Sequence, residues 1–231
     1  MIPSAEMRLS AFTGGINRIG GFGTTDPEIS GLAYDSRHVG EGYLFFALPG
    51  VHTDGHEYIP QAVRRGARGV VYSREFGPGS LPGIDGGVVY IRVPDTRRAM
   101  SAAASEFYGN PSGRLRVVGV TGTDGKSTTV FFIRQLLEIA GRKAGFLSTV
   151  QYSTGEEIRS NPFRQSTPEA VEVHRILSEM AYAGNEFAVV EATSHGLSER
   201  TARLEDVRFA SGVFTNISHE HLEFHGTFAQ Y

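Results

Sequence analysis

The chain of 231 residues contains no cysteine. That excludes disulfides, thiolate zinc sites and cysteine nucleophiles, and it fits a reducing compartment. No run approaches the ~20 apolar residues of a membrane span. The opening Met1–Gly15 lacks an apolar core of signal-peptide length. There is no excess of basic charge either: the net charge is −3. A broad basic face is therefore not expected, nor is nucleic acid as a partner. A soluble cytoplasmic protein with no membrane insertion is the expectation. What is present is globular in composition, 40% apolar and 20% charged. The length suits one large domain or two small ones, at about 100–200 residues each.

The most informative stretch is Val117-Val-Gly-Val-Thr-Gly-Thr-Asp-Gly-Lys-Ser-Thr-Thr129. An apolar strand runs into a glycine-rich turn, then Lys126, then hydroxyls, then a helix. A triphosphate needs this arrangement. Glycines let backbone N–H groups close around phosphate oxygens. The helix N-terminus adds partial positive charge. Lys126 can reach the β- and γ-phosphates, and the Ser127 hydroxyl can hold Mg2+. The spacing from Gly119 is G-x5-G-K-S rather than G-x4-G-K-S, with Gly122 inside the loop. The plainer alternative is a Gly/Thr turn carrying an exposed lysine.

Two halves are expected, 1–112 and 113–231, with Asn110–Gly113 as the linker. In the first, strands are expected over 29–34, 43–48, 69–72 and 88–93. Helices are expected over 57–65 and over 97–108, the latter capped by Asp95. In the second, strand and helix alternate. Strands are expected at 115–120, 187–191 and 212–216, and an extended segment at 144–152. Helices are expected at 127–140 and 168–183, with Thr167 as N-cap and Pro168 at N1. The class is α/β: a small α/β domain, then a partial P-loop domain built on a parallel sheet with helices on both faces. Ligands of such a sheet sit at the carboxyl ends of its strands. The loop, Glu191 and residues 216–221 all fall there.

Glu191 ends a buried strand on the rim of the loop, where Mg2+ would sit. A surface acid is the plainer reading. His195, His219, His221 and His225 crowd the end of the chain. Zinc is discounted, since no standard ligand spacing appears. A catalytic loop is favoured, with the role of His221 left open, because imidazole is an unusual ligand for a hard cation. Arg37 could pair with a phosphate or, equally, with Asp35.

These residues carry a resemblance. Tyr34-Asp-Ser-Arg37, Gly42-Tyr-Leu-Phe-Phe-Ala47 and Asp54-Gly55 match in the first half. Gly122–Thr128, Ser166-Thr-Pro-Glu169, Glu191-Ala-Thr-Ser-His-Gly-Leu197, Val213–Ser218 and Glu220–Gly226 match in the second. The chain resembles the Mur ligases, of the MurE type that adds the third residue of the peptidoglycan stem peptide. The resemblance implies that residues 1–112 hold the UDP-sugar through Tyr34, Ser36 and the turn Val51, His52 and Thr53. It implies that Gly122, Thr123, Asp124, Gly125, Lys126, Ser127 and Thr128 bind ATP. Ser127, Glu191 and His221 would hold Mg2+, with Lys126, Glu191 and His221 as the catalytic set. Gln165, Ser166, Thr167 and Thr193 would contact the muramoyl-peptide. The implied reaction is ATP-dependent amide formation. A substrate carboxylate attacks the γ-phosphate, and an amine then displaces phosphate from the acyl phosphate. Lys126 and Mg2+ would neutralise phosphoryl charge.

There are departures. Asp124 stands where the family more often has Asn. Glu220-His-Leu-Glu223 replaces D-H-L-D. The segment 198–207 is longer than typical, so Glu199, Arg200 and Arg203 are only candidates for its substrate contacts. The resemblance also implies that Tyr231 falls short of the family's carboxylated lysine, the rest of the central domain and the C-terminal domain. No ligase turnover and an exposed apolar sheet edge are therefore expected of these residues alone. The added amino acid could be diaminopimelate, lysine or ornithine. The competing readings are a UDP-sugar-binding remnant without catalysis, and a ligase similar to folylpolyglutamate synthase. The Asp35-Ser36-Arg37 domain argues against the last.

Overall fold

The computed structural model describes residues 6–50, 53–76, 80–82, 86–163, 165–218 and 221–229. Its contacts divide into two compact units, Pro3–Phe107 and Tyr108–Tyr231.

In the first unit β1 (Met7–Arg8) leads into α1 (Leu9–Thr13). Then come β2 (Gly20–Phe22), β3 (Glu28–Ile29), β4 (Gly31–Ala33) and β5 (Tyr43–Phe46). The unit continues with α2 (Ile59–Arg64), β6 (Gly69–Tyr72), β7 (Val89–Arg92) and α3 (Thr96–Phe107). The sheet order is β2-β7-β6-β5-β4, parallel from β7 to β4 and antiparallel at β2. Phe45, Val70, Tyr72 and Tyr90 pack with Ile59 and Ala62 of α2 in one core. Their strand neighbours Leu44, Phe46, Val71 and Ile91 are buried too. A strand buried on both faces reads as a continuous apolar run, as these do.

Two expectations need correction here. The strand over 29–34 is interrupted at Ser30, whose hydroxyl donates to Glu41 O at 2.6 Å. Consequently β3 pairs with β1 and β4 with β5. The helix over 57–65 starts instead as a 3-10 turn, Gly55–Tyr58, because the Asp54 carboxylate accepts the His56 N–H at 3.0 Å. Asp95 does cap α3, accepting from the N–H groups of Arg97 (2.8 Å) and Arg98 (3.1 Å).

The second unit opens with the 3-10 turn Pro111–Gly113, whose Pro111 and Ser112 are buried. Then follow β8 (Arg116–Thr121), α4 (Lys126–Ile139), β9 (Ala144–Leu147), β10 (Gln151–Ser153) and β11 (Arg159–Ser160). The remaining elements are α5 (Ala170–Tyr182), β12 (Phe187–Glu191), α6 (Ser194–Leu197), β13 (Phe209–Phe214) and α7 (Leu222–His225). The order is β11-β10-β9-β12-β8-β13. The four strands β9, β12, β8 and β13 run parallel, and β10 and β11 add antiparallel. Alternate residues face opposite helices, as the strand period requires. Val117, Leu147, Ala188 and Val190 pack on Val173, Ile176, Leu177 and Met180 of α5. Val118, Val120, Phe146 and Val189 pack on Val130, Phe131, Ile133 and Leu137 of α4.

Three corrections apply here as well. The extended segment 144–152 breaks at Ser148, whose Oγ donates to Gln151 O (2.8 Å) and accepts the Gln151 N–H (3.1 Å). A serine side chain offering the backbone a local partner turns the chain back. The second helix starts at Ala170, not 168, and Thr167 is not its cap. The last strand begins at Phe209, earlier than expected, with a register shift between Phe209 and Ser211.

β13 ends the sheet, and Phe214 on it is 61% exposed. Phe132, Leu136 and Ile139 of α4 are exposed as well. Among the described residues no helix is long and apolar enough to cross a membrane.

Candidate functional site

β8 ends at Thr121 and α4 begins at Lys126, so residues 122–125 form a turn at the carboxyl end of an inner parallel strand. Gly122 has φ +132°, and a Cβ there would lie 2.2 Å from Thr215 Oγ1 and 2.7 Å from Asn216 O. Only glycine fits. Gly125 has φ +80°, with nothing within 4 Å of an added Cβ. Thr129 N–H closes the first helical turn on Gly125 O at 2.9 Å. The amides ahead of it have no intrahelical acceptor and carry the positive end of the helix dipole. Lys126 Nζ donates to Gly122 O (2.9 Å) and Thr123 O (2.7 Å), folding its ammonium over the same loop. Thr123 is buried, while Asp124 and Thr128 are exposed.

Glu191 closes β12, and its pairing with Val120 of β8 sets it beside the loop. Only 3% exposed, its carboxylate is held by three donors. Ser127 Oγ donates to Oε2 at 2.7 Å, Thr149 N–H to Oε2 at 2.9 Å, and Thr149 Oγ1 to Oε1 at 2.9 Å. A buried carboxylate needs such partners. A hydroxyl beside a carboxylate is an all-oxygen donor pair, which fits a hard cation such as Mg2+. Among the described residues no group of three or more His, Asp or Glu is placed to hold a metal. An ion that keeps waters and phosphate oxygens suits this sparse set. Thr149 was missed by sequence reasoning. It sits in the reversal after β9, within the segment 144–152 that the sequence pattern makes extended.

His221 lies at the start of α7, with its ring edge-on to His195 at 4.8 Å between centroids and Nδ1 3.5 Å from Glu223 Oε1. Phe224 packs on His195 at 4.0 Å, and Arg200 lies over Phe224 at 4.7 Å while donating to its carbonyl at 2.8 Å. Burial, then the neighbouring His221 and His225, push the His195 pKa down. His219 and Glu220 lie outside the described residues.

Thr167 and Thr193 are brought together beside Glu191. Thr167 Oγ1 lies 2.9 Å from Thr193 Oγ1 and donates to Glu191 O at 3.2 Å. Thr193 caps α6 by accepting the Gly196 N–H at 3.1 Å. Gln165 and Ser166 precede them, exposed. Arg203 pairs with Glu169 (3.0 Å) and donates to Thr167 O (3.2 Å), so it braces this segment. Nearby, a cavity of about 440 Å³ is lined by Gly122, Ser194, Leu197, Glu199 and His225.

The first unit has its own cavity, about 560 Å³, lined by Tyr34, Ser36, Arg37, Thr53, Tyr58 and Gln61. Ser36 Oγ donates to Gln61 Oε1 at 2.8 Å. Arg37 forks onto Asp35, Nε to Oδ1 at 2.9 Å and Nη2 to Oδ2 at 2.5 Å, and holds that carboxyl below its usual pKa. Val51 and His52 lie outside the described residues. His56, also missed by sequence reasoning, is buried. Its Nε2 accepts the N–H groups of Ser73 (3.0 Å) and Arg74 (3.2 Å), and Nδ1 lies 2.5 Å from Asp54 Oδ1. The Asp54-Gly55 dipeptide beside it was the available signal.

Comparison with known proteins places the chain in a family. The family model described as "Mur ligase family, catalytic domain" matches residues 28–108, and "Mur ligase middle domain" matches 120–231. The chain is 52% identical over 204 residues to the UDP-N-acetylmuramyl-tripeptide synthetase of Treponema pallidum (strain Nichols), covering 88% of this chain and 37% of that protein. It is 52% identical over 206 residues to the protein of the same name from Roseiflexus sp. (strain RS-1), covering 89% and 40%. Among solved structures it is similar in fold to a UDP-N-acetylmuramoyl-L-alanyl-D-glutamate--2,6-diaminopimelate ligase. That likeness has a TM-score of 0.74 and 24% identity, and covers 98% of this chain and 43% of the other. The chain therefore spans about two fifths of the length of these relatives. The chain belongs to the Mur ligase family, of which it carries the N-terminal and middle domains.

Proposed function

We propose that this chain supplies the UDP-sugar and nucleotide sites of a MurE-type ligase. The reaction joins the third stem-peptide amino acid to UDP-N-acetylmuramoyl-L-alanyl-D-glutamate at the expense of ATP. The observation that carries the reading is the hydrogen bond from Ser127 to the buried Glu191 at the mouth of the glycine loop. Matches to tripeptide synthetases support the choice of substrate.

In this reading Lys126 leaves the carbonyls of Gly122 and Thr123 and moves onto the β- and γ-phosphates of ATP. The leading amides of α4 hold phosphate oxygens. Ser127 and Glu191 would hold Mg2+, with His221 as a further ligand, and the ion would supply charge neutralisation for the transferring phosphoryl group. Thr193, together with the exposed Gln165 and Ser166, orients the muramoyl-peptide carboxylate toward the γ-phosphorus, and the buried Thr167 holds Thr193 in place through its hydroxyl. Alignment of that kind is a large part of phosphoryl-transfer catalysis. Tyr34, Ser36 and Thr53 line the cavity that takes the uridine diphosphate end, and Val51 and His52 are assigned to the same ligand.

The test uses a protein of the relatives' full length that contains this chain. Supplied with ATP, Mg2+ and the UDP-muramoyl-dipeptide, it should release phosphate with diaminopimelate, lysine or ornithine. The Lys126→Ala form should not. Phosphate release with none of the three would sink the substrate assignment. The 231 residues alone should bind both ligands without turnover.

A further inference from the structure

The phosphate loop is held from outside itself. Asp124 N–H donates to Asn216 Oδ1 at 3.0 Å, and Asn216 Nδ2 donates back to Asp124 O at 3.1 Å. The carboxamide thus pairs with one residue's backbone as a neighbouring strand would. The orientation is fixed by chemistry, since a turned amide would set N–H against N–H and oxygen against oxygen. The backbone joins in. Thr123 N–H donates to Asn216 O at 2.9 Å, and Ser218 N–H donates to Thr123 Oγ1 at 2.9 Å. Thr215 Oγ1 adds a bond to Asp124 O at 2.7 Å. This segment leaves β13, which pairs with β8 up to Phe214 and Thr121, so two adjacent parallel strands deliver the loop and its clamp to one rim.

We infer that Asn216 is the positioning residue of the phosphate loop. A loop with Gly122 and Gly125 at positive φ is costly to order, because glycine has the most freedom to lose. A clamp that orders it beforehand lowers the cost of binding. The clamp also sorts the donors. The amides of Thr123 and Asp124 are spent on Asn216, which directs the phosphates toward the amides at the start of α4. The inference rests on the nucleotide reading above, and Asn216 acts through the backbone of the loop.

The experiment measures two quantities on the 231-residue chain. One is the affinity for a fluorescent ATP analogue with Mg2+. The other is amide hydrogen exchange at Thr123 and Asp124 without nucleotide. Loss of two hydrogen bonds in Asn216→Ala should weaken binding about tenfold or more. It should also speed exchange at Asp124, with affinity for a UDP-sugar at the first unit's cavity unchanged. Asn216→Asp keeps the acceptor, so it should restore protection at Asp124, and it serves should the alanine form fail to fold. Affinity within about twofold of wild type in Asn216→Ala overturns the inference if Lys126→Ala still abolishes binding. Unchanged exchange at Asp124 overturns it as well. If Lys126→Ala also leaves affinity unchanged, the phosphate-loop reading fails, and the positioning role falls with it.

Discussion

Ser127 Oγ reaches Glu191 Oε2 at 2.7 Å across 64 positions of sequence. One group opens the helix after the loop and the other closes the neighbouring parallel strand. Their contact converts two local motifs into one oxygen-lined site. Removing the hydroxyl tests this directly. Ser127→Ala should weaken Mg2+-dependent binding of an ATP analogue by about tenfold, roughly 1.4 kcal/mol. Binding measured in EDTA should barely change. Equal losses with and without Mg2+ would place Ser127 on the nucleotide rather than on the ion.

Asp124 puts an exposed negative charge on the loop. Asp124→Asn removes it without changing the backbone pairing to Asn216. Nucleotide affinity should rise by about twofold to fivefold at low salt, and the gain should shrink as salt screens the charge. A variant that binds no better at low salt would show that a cation already offsets Asp124.

His174 is fully buried on α5, and neither ring nitrogen has a hydrogen-bond partner among the described residues. Burial lowers its pKa from 6.5 to about 4. The folded state therefore keeps the ring neutral, while the unfolded chain takes up a proton below about 6.5. Stability is fully present above that pH and is lost as pH falls from about 6.5 to about 4, by on the order of 3 kcal/mol. His174→Phe should flatten this part of the denaturation curve. Parallel curves for the two proteins would contradict it.

The Ser36–Gln61 hydrogen bond shapes the cavity of the first unit. Gln61→Leu breaks it and leaves the Ser36 hydroxyl unpaired. UDP-sugar binding, followed by calorimetry, should weaken by about tenfold. Nucleotide affinity at the second unit should not change. A loss of both would point to unfolding rather than to the cavity.

Phe132, Leu136 and Ile139 form an exposed stripe on α4, and β13 presents an open edge. Such surfaces promote association. Light scattering of the 231-residue chain should fall when Leu136 and Ile139 are replaced by lysine. A wild-type chain that stays monomeric at high concentration would show that the stripe is tolerated.

Much of this was legible in the sequence, for physical reasons. The strands at 69–72 and 187–191 matched because each is a short run with paired valines that follows the turn closing a helix. The loop was legible as a turn between strand and helix because Gly122 and Gly125 take positive φ there. Thr167 was misassigned because it has the look of a helix cap, while its hydroxyl is taken by Glu191 O and Thr193. Thr149 and Asn216 were invisible as partners of Glu191 and Asp124, since those bonds span 42 and 92 positions. Local pattern carries no information on such contacts. Ser148 reversed the chain by a side-chain bond that outweighed the strand propensity around it.

The proposed binding of a magnesium nucleotide by the loop and Glu191 is open to direct measurement. Calorimetric titration of ATP into the 231-residue chain, with and without Mg2+, in wild type and Lys126→Ala, tests it most directly. Saturable binding that Mg2+ strengthens and Lys126→Ala abolishes is the expected result. Equal heats in both proteins, indifferent to Mg2+, would contradict it.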